Sequence, residues 1–405
     1  MLSIKNIQWV GLSKIISMLI SLITTSIIAR VFGPEKFGIL NYVLSFVGLF
    51  SILASLGVSA VVYKELVVNK EKREEVLGSA MALNFIAGII TIGIICVYLF
   101  IIKEDHTITL LIILASLSFL TQPFNLLQID FLKDSDAKYV TITQLITSLI
   151  TSGAKIVVVT LYASVWYFII ILITENLIAG ILYIYQIIKV KNRTLILKVS
   201  LPQIKYLLYA AAPMALTLGF SDIYARIDQV MLRHYLDVSA VGLYSAAARV
   251  TELWYFIPNI IITGLFPILA NSASTAENRQ KKFLFLSKAL FLAAIVISIS
   301  VLLASKLIIG IIYGKEFLAA APILSIYIFS LFGTFISLII LQELFIEKRT
   351  WAIILIPGGT ALLNIILNIF LIPLYGASGA AFATVISYNI IPLIYYITKK
   401  IMLQL

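Results

Sequence analysis

Of 405 residues, 61% are hydrophobic and 12% charged, with a formal net charge of +11. Soluble domains carry about 25% charged residues, so water is excluded as the solvent for most of this surface. The basic residues sit in short segments beside apolar runs, where anionic lipid headgroups account for them without nucleic acid. One cysteine, Cys96, and two distant histidines, His106 and His234, exclude an intramolecular disulfide, a multi-cysteine metal site and a histidine-pair zinc centre.

A bilayer core of ~30 Å takes about 20 mainly apolar residues per helix. In chain order, apolar runs bounded by charge or turn residues predict helices over 8–31, 38–62, 77–102, 107–127, 139–162 and 166–188. A second set follows over 207–233, 240–269, 284–304, 318–344, 350–373 and 377–398. The first run is longer than a signal-peptide core and lacks a small-residue cleavage site, so it reads as a retained helix. The expected fold is all-α and integral to the membrane, with about twelve transmembrane helices.

Positive residues in short loops tend to stay cytoplasmic. One alternating set of segments holds nineteen Lys and Arg, from Lys5 through Lys64, Arg73, Lys133, Lys191 and Arg279 to Lys400; the other holds six, Arg30, Lys36, Lys103, Arg233, Lys306 and Lys315. Both termini are therefore expected in the cytoplasm. The longest connection, Lys189 to Lys205, is too short for a soluble domain.

An internal echo divides the chain. Ala29-Arg30-Val31-Phe32-Gly33-Pro34 followed by Gly38-Ile39-Leu40 parallels Leu232-Arg233-His234-Tyr235 followed by Gly242-Leu243-Tyr244: an arginine closes a helix and a glycine opens the next. Leu161-Tyr162-Ala163-Ser164 parallels Leu374-Tyr375-Gly376-Ala377-Ser378 in the same way. Duplicated halves are common among transporters. Six helices per half gives parallel topology, with an N-terminal half over 1–200, a C-terminal half over 201–405 and a substrate cavity expected between them.

These features resemble the polysaccharide-exporter branch of the multidrug, oligosaccharidyl-lipid and polysaccharide exporter superfamily, in particular bacterial O-antigen flippases. The likeness is carried by Ala29 to Gly38, by Asp228 with Val241-Gly242-Leu243-Tyr244, and by Tyr375-Gly376-Ala377-Ser378-Gly379-Ala380-Ala381. It implies a V-shaped pair of six-helix bundles with a central cavity, in the bacterial inner membrane. It also implies transport of a lipid-linked oligosaccharide, on undecaprenyl pyrophosphate, from the cytoplasmic to the periplasmic leaflet for O-antigen (lipopolysaccharide) or other surface polysaccharide. A polysaccharide polymerase and a chain-length regulator are the implied partners. A multidrug exporter of the same superfamily and a membrane polysaccharide polymerase are the alternative readings, though polymerases usually carry a sizeable periplasmic loop. The sequence leaves open which glycan is carried.

Ionisable residues inside transmembrane helices cost roughly 2.5 to 3.5 kcal/mol at the helix centre and usually face a bundle interior. Here they are Lys14, Lys155, Glu175, Asp222, Arg226, Asp228, Arg249 and Glu252. Asp222 and Arg226 stand four apart, Arg249 and Glu252 three apart, so each set has the spacing of a local ion pair. By helical rise, Arg226 and Arg249 lie about 10 and 13 Å below the outer surface. In the functional reading they join Lys14 and Arg30 as a cationic lining for pyrophosphate, which guanidinium binds through paired charge-assisted bonds. Lys155 and Glu175 fall at matching depth and suit a buried salt bridge, while Glu175, Asp222 or Asp228 would serve proton coupling. Pro213 and Pro258 are candidate helix kinks. Gly310-Ile311-Ile312-Tyr313-Gly314-Lys315 lacks the glycine spacing and the Ser or Thr of a nucleotide-binding loop. No Gly-x-Ser-x-Gly elbow occurs either, so a transporter without cofactor, and not an enzyme, is expected.

Overall fold

The computed structural model describes residues 4–134, 136–269, 276–347 and 349–402; side chains at 4–15, 263–269, 276–279, 350, 391, 393 and 396–402 are outside that description. Among the described residues the regular structure is all helical. The chain divides into two compact units, one of Met1–Phe32 with Val43–Asp222, the other of Gly33–Tyr42 with Ile223–Leu405.

The first helix, α1 (Ile4–Leu49), is broken at Gly33, whose φ of 67° lies in the left-handed region. That conformation is open to glycine at little cost, and Pro34 then restarts the helix, where its missing N–H is harmless. The first unit continues with α2 (Ser51–Ser55), α3 (Ser59–Val68) and α4 (Arg73–Ile102). Asp105 caps α5 (His106–Ser116) by accepting from the N–H groups of Thr107 and Ile108. Beyond α6 (Ser118–Thr121), the same predicted span passes through a 3-10 segment, Gln122–Gln128, before α7 (Ile129–Leu132). Pro123, lacking a donor, sits at the start of that segment. Then come α8 (Ala137–Tyr162) and α9 (Val165–Lys189), separated at Ala163, which is itself left-handed. The last helix to enter this unit is α10 (Leu201–Tyr235), which runs unbroken through Pro213 and passes into the second unit at Ile223. Val62, Leu66, Leu77, Ala80, Leu126 and Leu207 join α3, α4, the 3-10 segment and α10 in one apolar cluster.

The basic end of this unit is tied by charge. Asp130, fully buried, accepts Arg73 Nε and Nη2 at 2.8 Å each and Lys133 Nζ at 2.8 Å. Lys191 reaches Asp134 at 2.6 Å and Lys198 reaches Glu74 at 2.7 Å. Several cations that the sequence assigns to lipid headgroups therefore hold the connection between α9 and α10 against the bundle. Gly78 lets that connection approach: a Cβ there would lie 2.3 Å from Lys198 O.

In the second unit, Asp237 caps α11 (Val238–Glu252) through Ala240 N at 2.7 Å. The span continues through a 3-10 turn, Leu253–Tyr255, into α12 (Phe256–Leu269). Pro258, in the first turn of α12, cannot donate to Trp254, so the predicted kink becomes this break. Next are α13 (Ala276–Ile312), α14 (Ala320–Tyr327), a 3-10 turn at Ile328–Ser330, α15 (Leu331–Ile346) and α16 (Thr350–Met402). The charged stretch preceding 284 is helical as well, so α13 starts at Ala276 and not at 284 as the apolar run predicts. Gly376, with φ 61°, breaks α16 at the position that Ala163 occupies in the first half of the echo.

The glycines of the other echo meet. A Cβ on Gly38 would lie 1.7 Å from Val238 O, and one on Gly242 would lie 2.1 Å from Pro34 O. Two helix starts thus cross backbone to backbone, a packing that small residues permit in membranes. Phe37, Tyr313 and Phe317 stack beside them with ring centroids 5.5 to 6.3 Å apart.

Ten helices among the described residues are long and apolar enough to cross a membrane. Trp351–Ile390 holds the last two predicted spans across the Gly376 break. The eighth predicted span is divided between α11 and α12, each too short to qualify alone.

Candidate functional site

In the second unit, Asp228 of α10 is 2% exposed, yet no salt-bridge partner accompanies it among the described residues. Its carboxylate instead accepts hydrogen bonds from neutral groups: Tyr244 OH of α11, Thr384 Oγ1 and, at 2.6 Å, Asn368 Nδ2, both of α16. Asn368 also donates to Asn364 Oδ1 at 3.0 Å, while its own Oδ1 is buried with no hydrogen-bond partner. Asn364 and Asn368 share a face because they stand four apart, and both are fully buried. The arrangement is a buried carboxylate ringed by oxygen-bearing side chains, with one oxygen to spare. Hard cations are held by such oxygen sets.

Beside this ring lies a cavity of about 210 Å³ lined by Tyr224, Tyr255, Tyr327, Tyr388 and Glu252. Tyr327 packs edge-on against Tyr244, and Tyr388 donates to Tyr224 O at 3.2 Å. Glu252 is paired to Arg249, at 3.7 Å, with 51% of the arginine side chain exposed. Arg226 makes no ion pair among the described residues, and its Nε is buried without a partner.

In the first unit, Lys155 Nζ of α8 lies 2.8 Å from Glu175 Oε2 of α9 and stands over the Phe168 ring at 5.4 Å. Around this pair run amides: Asn125 donates to Asn176 at 2.9 Å and Gln144 to Gln128 at 3.4 Å. The local pairing of Asp222 with Arg226 is not formed. The Ser51 hydroxyl at the start of α2 donates to Asp222 Oδ2 at 2.6 Å and takes the carboxylate that the four-residue spacing offered to the arginine. Arg30 is exposed on α1, and the Lys14 side chain lies outside the described residues. No group of three or more metal-ligating His, Cys, Asp or Glu occurs among the described residues.

Sequence reasoning isolated Asp228 as a charge in an apolar run but missed Tyr244, Asn364, Asn368 and Thr384 as its partners. The available signal was Asn364-x-x-x-Asn368, two amides one turn apart in an otherwise apolar helix.

Long apolar helices in two units, with ionisable and amide side chains turned inward, define a multi-pass helical membrane protein. Comparison with known proteins places it further. The chain belongs to the polysaccharide biosynthesis protein family, whose pattern it matches over residues 3–273 of 405. The Lipid II flippase MurJ family matches residues 144–405. A probable flippase, AglR, of Haloferax volcanii is 31% identical over 173 residues, 40% of this chain and 35% of the relative. The teichuronic acid biosynthesis protein TuaB of Bacillus subtilis is 28% identical over 103 residues, 25% of this chain and 21% of the relative. The matched segments thus span about a third or less of these relatives.

Among solved structures, an inward-facing multidrug resistance MATE family transporter of the MOP superfamily superposes with a TM-score of 0.74 at 15% identity, covering 96% of this chain and 94% of the other. Lipid II flippase MurJ, inward closed, gives 0.72 at 19% identity over 96% and 87%. These likenesses show the fold.

Proposed function

We propose that the protein is a flippase. It moves a lipid-linked oligosaccharide repeat unit, carried on a polyprenyl pyrophosphate such as undecaprenyl pyrophosphate, from the cytoplasmic to the opposite leaflet by alternating access. The O-antigen or another surface polysaccharide is the end product, built by a polymerase and chain-length regulator that take up the flipped unit. The observation that carries this reading is the family match over residues 3–273 in a chain that keeps two arginines within its helices, Arg226 without an ion pair among the described residues and Arg249 half-exposed beside Glu252. Arg226 and Arg249 are assigned to the pyrophosphate, with the same role for Lys14 and Arg30 on α1. The Lys and Arg bias supports cytoplasmic placement of both termini, and the location proposed with it is a bacterial inner membrane.

Asp228 is assigned to the coupling ion, a small hard cation taken into its ring of oxygens. Glu175 is assigned to the structural pair with Lys155. Asp222 is assigned to the bond from Ser51. Reconstitution tests the reading: proteoliposomes holding the full chain and a fluorescent polyprenyl pyrophosphate sugar should lose outer-leaflet label to quencher with protein-dependent kinetics, accelerated by a sodium gradient. Kinetics matching those of protein-free vesicles would sink it.

The four-tyrosine cavity with Glu252 supports a second reading, export of organic cations, since aromatic faces beside a carboxylate attract them. Dye efflux from cells without endogenous exporters separates the two.

A further inference from the structure

The first unit carries a polar cleft that neither ion coupling nor pyrophosphate binding uses. Its floor is the 3-10 segment Gln122–Gln128, which interrupts the span between α6 and α7 and turns Gln122, Asn125 and Gln128 toward α8 and α9. Two adjoining cavities of about 280 Å³ each share Asn125, Glu175 and Asn176; the second is also lined by Gln128, Gln144 and Thr147. Thr147 lies ten residues from the start of α8 and Glu175 ten from the start of α9, about 15 Å along each axis. The cleft is therefore near mid-span, where unpaired polar groups are most costly.

Two of its oxygens remain unpaired. Thr147 is 4% exposed, lines the cleft, and its Oγ1 makes no hydrogen bond; Gln122 Oε1 is likewise buried without one. Buried polar atoms are ordinarily satisfied, so these point to a ligand that supplies both donors and acceptors.

The chemistry narrows that ligand. Lys155 is neutralised by Glu175 at 2.8 Å, so no uncompensated cation faces the cleft to attract phosphate. Amide and hydroxyl walls do not suit a hydrocarbon tail. Asn and Gln present a donor and an acceptor side by side, which matches adjacent hydroxyls on a sugar ring. Each cavity is just below the ~300 Å³ at which ligand pockets usually begin, room for one sugar ring.

We propose that this amide-lined cleft is a sugar subsite, binding the hydroxyls of one pyranose unit of the lipid-linked glycan at mid-membrane. The proposal rests on the flippase reading above and names what that reading leaves open, where the neutral part of the cargo is held.

The test uses the full chain in lipid nanodiscs and two probes, undecaprenyl-pyrophosphoryl-N-acetylglucosamine and undecaprenyl pyrophosphate without sugar. Wild type should bind the sugared probe more tightly. Thr147→Val removes a hydroxyl that has no partner in the protein, so its melting temperature should match or exceed wild type. Its affinity for the sugared probe should fall about three- to tenfold, the worth of one hydrogen bond, with the unsugared probe unaffected. Gln144→Leu should act in the same direction and guards against a misfolded Thr147→Val. Equal binding of both probes by wild type, or unchanged discrimination in both folded variants, would overturn the subsite and leave the flippase reading standing. If wild type binds neither probe, the flippase reading falls and takes the subsite with it.

Discussion

Asp228→Asn is the substitution that isolates charge from shape in the second unit. The amide keeps the size of the carboxylate, and Tyr244 and Thr384 can still donate to its oxygen. What disappears is the negative charge that would hold a cation. A pair of unit charges 4 Å apart is worth about 4 kcal/mol at an effective dielectric of ~20, so cation affinity should drop about a thousandfold. The assay is the melting temperature of purified protein titrated with sodium chloride against choline chloride at constant ionic strength. Wild type should be stabilised with a saturable dependence on sodium, and Asp228→Asn should show no such response. Without sodium the substitution relieves a buried charge that has no ion partner but sets its new amide N–H against Asn368 Nδ2, so the readout is the sodium response and not the sodium-free melting temperature. A variant with the wild-type sodium midpoint would refute the assignment. Stabilisation of wild type by acid and not by sodium would replace the cation with a proton.

Four further outcomes follow from the packing and charges. Gly242→Val should strongly reduce folded protein on size-exclusion chromatography, since its Cβ would lie 2.1 Å from Pro34 O and even modest overpacking costs about 1 to 3 kcal/mol; Gly153→Ala, with nothing within 4 Å, should be tolerated. Asp130→Ala leaves Arg73 and Lys133 without their buried carboxylate and should cost about 3 to 5 kcal/mol, read as a large fall in melting temperature. Nearby, burial pushes the Asp134 carboxyl up, but the Lys191 hydrogen bond and the charges of Lys191, Lys133 and Arg193 outweigh it and hold it below the ordinary carboxylate range. Its contribution to stability is therefore full above the unfolded carboxyl pKa and lost as pH falls through the lowered folded value; Asp134→Asn should flatten that acid limb of a melting-temperature profile. Arg226→Ala or Arg249→Ala should abolish glycan export while protein level, measured by immunoblot, stays intact.

The helices were legible because a bilayer demands long apolar runs, and those runs stand out against Lys and Arg at their ends. The break near Leu253 was legible through Pro258, whereas the 3-10 segment at Gln122 interrupts a span that reads as one continuous apolar helix. Lys155 and Glu175 could be matched by depth alone, and they meet. The partner of Asp222 could not be read this way: helical spacing names a neighbour on the same helix, whereas the Ser51 hydroxyl arrives from 171 residues away. Neutral side chains were the larger blind spot. Asn125, Gln144, Asn364 and Thr384 carry no charge to flag them among apolar neighbours, and only their convergence in space gives them meaning. The paired glycines Gly38 and Gly242 were visible as an echo, but their contact is a fact of packing.

The leaflet position of the lipid-linked repeat unit in cells depleted of this protein tests the central claim most directly. Complete units should accumulate on the cytoplasmic leaflet, protected from a membrane-impermeant glycosidase added outside, and re-expression should expose them. Accumulation of glycosidase-accessible single units on the outer leaflet would contradict the flippase assignment and point to polymerisation instead.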